Sequence, residues 1–222
     1  MRTTSSTTVA ILGNGVVGVA LAKGFAGLGY QVVFGTRDAA SDKTRAALQA
    51  VPGARAASPA EAAQAGDSAV LALPFDALEA GIRSAGVQNL VGKLVIDTSN
   101  PLDFSTGAPV WALGHSDSAG ERVQRWLPES QVVKAFNIIT ATHMVHPQLP
   151  GGQPDMFVAG NDAAAKARVS AWLDAWGWRA PVDMGGIEAS RLLEALAMLW
   201  IHYGVRNNHW THGFSLLGRK PA

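Results

Sequence analysis

Three glycines near the start of the chain are spaced so that exposed backbone can receive a phosphate group. Gly13, Gly15 and Gly18 follow the β-branched run Thr8 to Leu12 and open a helix that Gly29 ends. In this pattern the first glycine turns the chain off a strand, the second leaves room for a pyrophosphate, and the third lets the helix pack closely on the sheet. The phosphates then meet free N–H groups at the positive end of the helix. The turn, which also contains Asn14, Val16 and Val17, predicts a dinucleotide site; the alternative is an ordinary glycine-rich turn.

The residues after the second predicted strand indicate which dinucleotide binds. That strand, Tyr30 to Gly35, is followed by Thr36 and Arg37. Sites that prefer NAD place a carboxylate here, which accepts hydrogen bonds from the adenosine ribose. A hydroxyl and a guanidinium instead suit a 2′-phosphate, because arginine offers several planar donors to phosphate oxygens. The sequence therefore predicts NADP. In the alternative, Arg37 lies in solvent and Asp38 caps a helix or binds the ribose.

Two further strand ends supply residues for the same cleft. Leu73 and Pro74 end a buried apolar strand, and Asn100 and Pro101 follow the strand Lys93 to Asp97. Ligands of open parallel sheets bind outside the carboxyl ends of the strands. We therefore expect all four residues to contact the cofactor, with Leu73 and Pro74 beside the nicotinamide ribose.

The apolar pattern predicts the elements that must position these residues. Buried strands alternate with helices as β/α units, which is typical of a doubly wound parallel sheet of the Rossmann type. The predicted strands cover residues 8–12, 30–35, 54–57, 67–73, 93–97 and 131–136, and predicted helices cover 38–50 and 76–85. Ser58 and Glu61 form a capping-box pattern at the start of a further helix. We expect this NADP-binding domain to extend over residues 1–140.

A small, mainly helical C-terminal domain is expected over residues 141–222, where it forms the coenzyme cleft and a dimer contact. The pattern predicts a helix over 138–145 and a last helix over 188–203. Because the last helix is apolar on nearly every face, it must be buried, either in this domain or across a dimer axis. We therefore expect a homodimer.

Composition and charge narrow the range of partners. The formal net charge of +1 argues against nucleic acid or an anionic membrane as a partner. The absence of cysteine excludes disulfides, thiolate metal sites and thiol nucleophiles. The longest apolar run, Ala195 to Ile201, is too short to span a bilayer, and the polar residues 1–8 are typical of a loose leader. We expect a soluble, cytoplasmic protein whose partner is a small molecule.

The chain offers few candidate acids, bases or metal ligands. His115 follows a long loop, residues 102–114, that is expected to cover the cleft, so it either contacts substrate or caps the next helix. Two His-x-x-His pairs, at 143 and 146 and at 209 and 212, have the spacing of half a metal site. Neither pair has an evident third ligand, so we expect no metal.

Two groups of residues in the C-terminal part have a structural and a functional interpretation. Arg191 and Glu194 are three residues apart on the last helix and are expected to pair with each other. The alternative places Arg191 on a coenzyme phosphate. Trp172, Trp176 and Trp200 lie at helical spacing, which favours the core over stacking on a flavin.

Taken in order, the motifs resemble the family of deazaflavin (coenzyme F420)-dependent NADP oxidoreductases, which is also similar to the NADPH domain of the six-transmembrane metalloreductases. The resemblance covers essentially the whole chain. It rests on 13–18 (GNGVVG), 35–37 (GTR), 73–74 (LP), 97–101 (DTSNP), 114–116 (GHS), 133–137 (VKAFN), 157–161 (FVAGN), 182–185 (VDMG), 191–194 (RLLE) and the C-terminal pattern F-x-LL-x-R at 214–219.

The resemblance implies hydride transfer between NADPH and a flavin or 5-deazaflavin in the cleft between the two domains. It implies that Gly13 to Gly18 bind the pyrophosphate and that Thr36 and Arg37 bind the 2′-phosphate. One departure is the pair Phe136-Asn137, where the deazaflavin enzymes have His-Thr; Phe-Asn is more similar to the metalloreductase domains.

We therefore expect an NADPH-dependent oxidoreductase in which the cofactors hold the reactivity and no side chain acts as acid, base or nucleophile. His115, Phe136, Asn137 and Ile138 are the predicted substrate contacts; Asn137 either binds a carboxamide or ring carbonyl or caps the helix that follows. Two alternatives stay open. One is an NADPH-binding sensor without catalysis, and the other is an NADP-dependent dehydrogenase or imine reductase acting on a small molecule.

Overall fold

The computed structural model describes residues 7–219. Most of the predicted polar leader, residues 1–8, lies outside this range. Among the described residues, no helix combines the length and the apolarity that a membrane crossing requires.

Of the strands in the part of the chain that the structure describes, eight form one sheet at the centre of the molecule. Its strands are β1 (Thr8–Leu12), β2 (Gln31–Gly35), β3 (Arg55–Ala57), β4 (Ser68–Leu71), β5 (Leu94–Asp97), β8 (Gln131–Lys134), β9 (Phe157–Gly160) and β10 (Val182–Asp183), while β6 (Leu102–Asp103) and β7 (Val110–Trp111) pair separately as a short hairpin. The order across the sheet is β10-β9-β8-β5-β4-β1-β2-β3. All neighbours run parallel except β8 and β9. The predicted doubly wound Rossmann sheet is confirmed.

In the described range, residues 7–219, seven α-helices cover the sheet, and side chains cap the start of four of them. They are α1 (Val16–Gly27), α2 (Asp42–Ala50), α3 (Pro59–Ala65), α4 (Phe75–Ala85), α5 (Ala119–Trp126), α6 (Ala163–Ala175) and α7 (Ser190–Asn207). Ser41, Ser58, Ser118 and Asp162 cap α2, α3, α5 and α6 by accepting a backbone N–H. The predicted capping box of Ser58 and Glu61 is present. Since a cap fixes where a helix begins, α2 starts at Asp42 and not at the predicted Asp38.

Alternating side chains of the strands pack into two separate hydrophobic cores, one on each face of the sheet. In β1, Val9 and Ile11 pack with Leu21 and Phe25 of α1, whereas Ala10 and Leu12 belong to the core that α3, α4 and α5 cover on the other face. This alternation is the period of a strand that is buried on both faces. The predicted core tryptophans 172, 176 and 200 are buried.

The C-terminal part of the chain adds two strands to the same sheet and ends in the long helix α7. One face of α7 packs inward through Leu193, Ala197 and Ile201, but Leu192 and Leu199 on the opposite side are more than half exposed. Burial of the whole helix inside this domain is therefore wrong for this face, and its burial across a dimer axis stays a prediction.

Two predictions of local structure after β5 were wrong. Residues 138–145 form only one 3₁₀ turn, Ala141–His143, and not a helix. The β-branched run Ile138 to Thr140 has low helix propensity, and the Thr140 hydroxyl donates instead to the carbonyl of Trp210. The predicted loop 102–114 contains the hairpin β6–β7, whose tip turns at Gly107 with a φ of +81°.

A buried ionic cluster joins the sheet to α7. The Lys134 ammonium lies 2.9 Å from Asp97 Oδ2 and 2.8 Å from Glu194 Oε1, and all three side chains are fully buried. Glu194 also accepts hydrogen bonds from the backbone N–H groups of Ala119 and Gly120 at the start of α5. Burial opposes the charged form of the lysine, but the two carboxylates outweigh it and raise the pKa of Lys134. We call these three side chains the Lys134 cluster.

Removing the cation from the Lys134 cluster should destabilise the fold strongly. Lys134→Met leaves Asp97 and Glu194 as uncompensated buried carboxylates, and losing one partner of a buried pair costs about 3–5 kcal/mol. Urea denaturation should show this loss in the free energy of unfolding. Arg83→Met is the matched control, because it breaks an exposed ion pair with Glu79 and should cost less than about 1 kcal/mol. Equal effects of the two substitutions would contradict the role assigned to the cluster.

Candidate functional site

Two cavities meet along the carboxyl edge of the sheet and share Gly15, Leu73 and Pro74 in their walls. The wide cavity has a volume of about 860 Å³ and is lined by 15–17, 72–76, 98–100, 102–105 and 112. The narrow cavity has a volume of about 430 Å³ and is lined by 12–15, 35–38, 43, 59, 72–74 and parts of α4. Together they form one cleft outside the ends of β1, β2, β4 and β5, where doubly wound sheets bind their ligands.

The three glycines of the turn meet different surroundings. A Cβ on Gly13 would lie 2.3 Å from the carbonyl oxygen of Ala72, and one on Gly18 would lie 2.1 Å from the carbonyl oxygen of Gly13. Gly13 also has a φ of +118°. A Cβ on Gly15 would meet nothing nearer than the Lys43 Nζ at 3.9 Å. Gly13 and Gly18 are therefore required by the fold itself, whereas the space above Gly15 is open.

Among the described residues, 7–219, no side chain caps the N-terminus of α1 at this turn. Gly15 precedes the helix without a side-chain cap, and the first turn contains no acidic residue. Val16 is 79% exposed there. The unpaired N–H groups and the positive end of the helix dipole therefore face the cleft and favour an anion.

Positive charge lies at the end of β2, in the wall of the narrow cavity. Arg37 and Lys43 both line it, and neither forms an ion pair within residues 7–219. Thr36 lies beside them, with its hydroxyl 3.3 Å from that of Thr44. Asp38 accepts a hydrogen bond from the N–H of Ala40 and forms the turn before α2. Two free cations and a hydroxyl suit a phosphate that carries two negative charges.

A small network holds the glycine turn against α2. The amide nitrogen of Asn14 donates to the Thr44 hydroxyl at 2.8 Å, and that hydroxyl donates to the carbonyl of Asp38 at 2.7 Å. Thr44 is fully buried. The distance between the turn and the cationic wall is therefore fixed by the fold.

The wide cavity has apolar walls and a polar floor. Val16, Leu73 and Phe75 line it, and the hairpin contributes Phe104, which is 62% exposed. Its floor is the turn that follows β5, residues 98–100. Pro101, the next residue, is buried and lines neither cavity, and its carbonyl accepts the N–H of Ala112.

Asn100 and Asn137 are hydrogen-bonded to each other. Asn100 donates to the backbone carbonyl of Asn137 at 2.8 Å, and the Asn137 amide nitrogen donates to Asn100 Oδ1 and to the carbonyl of Leu193. The preceding Phe136 has a φ of +64°, which is rare for an aromatic residue. Phe136, Asn137 and Ile138 are all nearly fully buried. The assignment of these three residues as substrate contacts stays a prediction, and Asn137 joins the floor of the cleft to α7.

The remaining predicted groups lie outside the two cavities. His115 is exposed, with its ring 6.0 Å from that of Trp111, and the cap of α5 is Ser118. Within the described chain, residues 7–219, no cluster of three or more His, Asp or Glu side chains has a metal-binding arrangement.

The predicted pair of Arg191 with Glu194 was wrong. Arg191 binds Glu121 on α5 in a bidentate contact, and Glu194 turns inward to Lys134. Successive turns of α7 present these two side chains to different neighbours, one at the surface of α5 and one in the core. The Arg191 contact lowers the pKa of Glu121.

Sequence reasoning missed Lys43 as a cleft residue. Lys43 reaches the cleft because Ser41 starts α2 late and places the lysine in its first turn. The Ser41 cap was the available signal. Ser99 follows the strand 93–97, at the sheet edge where the cleft was expected, but its hydrogen bonds were not predictable, because they depend on the Lys134 cluster, whose members are 37 and 60 residues apart in sequence.

Fold and cleft together define a dinucleotide-binding protein of the Rossmann class. Residues 8–101 match the family model described as "NADP oxidoreductase coenzyme F420-dependent". The F420-dependent NADP reductase of Methanothermobacter marburgensis is 30% identical over 214 residues, which span 90% of this chain and 93% of that protein. The chain belongs to the family of coenzyme F420-dependent NADP oxidoreductases.

Two further similarities agree with this family. A putative F420-dependent NADP reductase from Arthrobacter sp. FB24 is 36% identical, with a TM-score of 0.90 over 95% of this chain and 99% of that one. The metalloreductase STEAP3 of Rattus norvegicus is 30% identical over 86% of this chain, which spans only 36% of that longer protein. The resemblance seen in the sequence motifs is thereby confirmed.

The glycine surroundings predict two different outcomes for alanine substitution. Gly18→Ala forces a methyl group into the backbone of the turn and should lower the free energy of unfolding by about 2 kcal/mol or more. Gly15→Ala meets open space and has an extended backbone, with φ −81° and ψ −174°, that alanine adopts readily. Its free energy of unfolding should stay within about 1 kcal/mol of the parent. Thermal and urea denaturation of both variants measure these free energies. A destabilised Gly15→Ala protein would contradict the open space found above Gly15.

Proposed function

We propose that this protein transfers a hydride between NADP(H) and a deazaflavin coenzyme of the F420 type. The observation that carries the proposal is the continuous cleft, which joins an uncapped helix N-terminus and two free cations to a wide apolar cavity. Membership of the F420-dependent family supports both coenzymes. A plain flavin is the alternative acceptor, since the chain has Phe136-Asn137 in place of the His-Thr pair of the deazaflavin enzymes.

In this proposal the narrow cavity and the turn hold the phosphates. The N–H groups of Val16, Val17 and Gly18 bind the pyrophosphate. The open space above Gly15 leaves room for its oxygens. Thr36 and Arg37 bind the 2′-phosphate, and Lys43 adds a second cation to it.

The wide cavity then receives the reacting rings. Leu73 and Pro74 contact the nicotinamide ribose, and Asn100 contacts the cofactor from the floor of the cavity, where Asn137 holds it and Pro101 follows it in the chain. Val16 and Phe104 offer exposed apolar surface that excludes water from the space between them. When bound, the two coenzymes supply the hydride chemistry themselves, and the task of the chain is to bind, orient and keep the site dry.

We further propose that residues 1–140 form the NADP-binding domain and that residues 141–222 complete the acceptor side of the cleft. The half-exposed apolar face of α7, with Leu192 and Leu199, supports a homodimer contact. A cytoplasmic location follows from the proposed use of NADPH, a coenzyme of the cell interior. We also propose that His115 and Ile138 contact the acceptor when both coenzymes are bound.

Anaerobic mixing with NADPH and coenzyme F420 tests the proposal directly. We expect loss of the NADPH absorbance together with formation of reduced deazaflavin, and turnover with NADH at least tenfold slower. Gly15→Ala is the matched negative control, because it should stay folded while its methyl group blocks the pyrophosphate. Tight NADPH binding without oxidation by deazaflavin or flavin would contradict catalysis and favour the sensor function.

The cationic wall should decide the preference for NADPH. Replacing Arg37 or Lys43 with glutamine removes a charge-assisted hydrogen bond, so the NADPH dissociation constant should rise about 10- to 100-fold while that of NADH stays unchanged. Fluorescence titration measures both constants. Arg206→Gln at the exposed end of α7 removes the same charge far from the cleft and controls for general electrostatics. An equal loss of NADPH and NADH affinity would exclude a specific 2′-phosphate site.

A further inference from the structure

The floor of the wide cavity contains three consecutive polar residues, and the fold uses the side chains of two of them. The Thr98 hydroxyl donates to the carbonyl of Leu71 at 2.9 Å, and Asn100 is held by Asn137. The Ser99 hydroxyl has no hydrogen-bond partner in the part of the chain that the structure describes. Ser99 lines the cavity and is only 4% exposed.

An unpaired buried hydroxyl costs free energy, because it gives up its hydrogen bonds to water without replacement. Buried polar side chains are paired in most proteins, and an exception inside a binding cleft indicates a partner that arrives with the ligand. Ser99 therefore differs from Thr98 and Asn100 beside it, whose side chains stabilise the fold.

The position of Ser99 is fixed from behind by the Lys134 cluster. The Ser99 backbone N–H donates to Asp97 Oδ1 at 2.9 Å, and the other oxygen of that carboxylate binds Lys134. Both oxygens of Asp97 are thus engaged, and the carboxylate is fully buried. Rotation about the Cα–Cβ bond of Ser99 is the freedom that remains to its hydroxyl.

We propose that the Ser99 hydroxyl is a ligand-binding group that donates a hydrogen bond to a carbonyl oxygen on a ring in the wide cavity. This inference rests on the proposed function, which places both rings there. Two sources offer the same chemistry: the carboxamide of the nicotinamide and a ring carbonyl of the acceptor. Ser99 is thus a positioning and specificity residue that holds one ring at a set angle in the cleft.

Ser99→Ala is a clean test, because it removes an unpaired hydroxyl and should leave the free energy of unfolding equal or higher. Ser68→Ala on β4 is the matched control. Its hydroxyl is also buried and without a partner among the described residues, but Ser68 lines neither cavity.

Two measurements distinguish the sources of the carbonyl. Fluorescence titration gives the dissociation constant of NADPH without turnover, and steady-state kinetics give the KM of coenzyme F420. A three- to tenfold rise in the NADPH dissociation constant of Ser99→Ala corresponds to the loss of about one hydrogen bond. Such a rise identifies the nicotinamide carboxamide as the partner of Ser99. A rise of the same size in the acceptor KM alone assigns the acceptor carbonyl. Ser68→Ala should change neither value.

The inference is overturned if Ser99→Ala matches Ser68→Ala in both measurements. Its failure is distinct from failure of the proposed function, which would show as a parent protein that does not oxidise NADPH with the deazaflavin. In that case the NADPH titration still tests the inference. A dissociation constant for NADPH that is higher for Ser99→Ala than for the parent supports the hydrogen bond to the carboxamide. An unchanged dissociation constant excludes that hydrogen bond.

Discussion

A fully buried lysine between two carboxylates holds the sheet, the turn after β5 and the last helix together. Lys134 ends β8, Asp97 ends β5 and Glu194 lies on α7, and Glu194 also accepts two N–H groups from the start of α5. Charges this deep are tolerated only when their hydrogen bonds are satisfied. The cluster thereby sets the turn after β5 and the position of the last helix with the same contacts, so the floor of the cleft and the C-terminal part of the chain form one unit.

The cleft combines two kinds of recognition that belong to different parts of a dinucleotide. Its narrow end offers free backbone N–H groups, Arg37 and Lys43, which suit phosphates. Its wide end is mainly apolar and is bordered by Phe104 of the hairpin, which suits flat rings and excludes water. In the proposed reaction the two coenzymes supply the hydride chemistry, and this division of the cleft holds their rings in contact in a dry site.

The sequence predicted the parts of the site that depend on local pattern. The glycine turn, the strands and the Ser58 capping box follow from residues that are neighbours in the chain, and each was found at or close to its predicted place. The ionic partners of Glu194 and Arg191 were not predictable in this way, because they are set by tertiary contacts across 60 and 70 residues. The false helix at 138–145 has a partly local origin, since the β-branched run Ile138 to Thr140 disfavours a helix, and the hydrogen bond from Thr140 to the distant Trp210 adds a tertiary contact that the sequence did not show.

If the cleft brings two rings into direct contact, as proposed, the hydride never exchanges with water. NADPH deuterated at nicotinamide C4, prepared as each of the two diastereomers, tests this in a single anaerobic turnover with coenzyme F420. We predict that one diastereomer delivers its deuterium to C5 of the reduced deazaflavin and the other delivers none, as read by mass spectrometry. A solvent hydrogen at C5 with both diastereomers would contradict direct transfer.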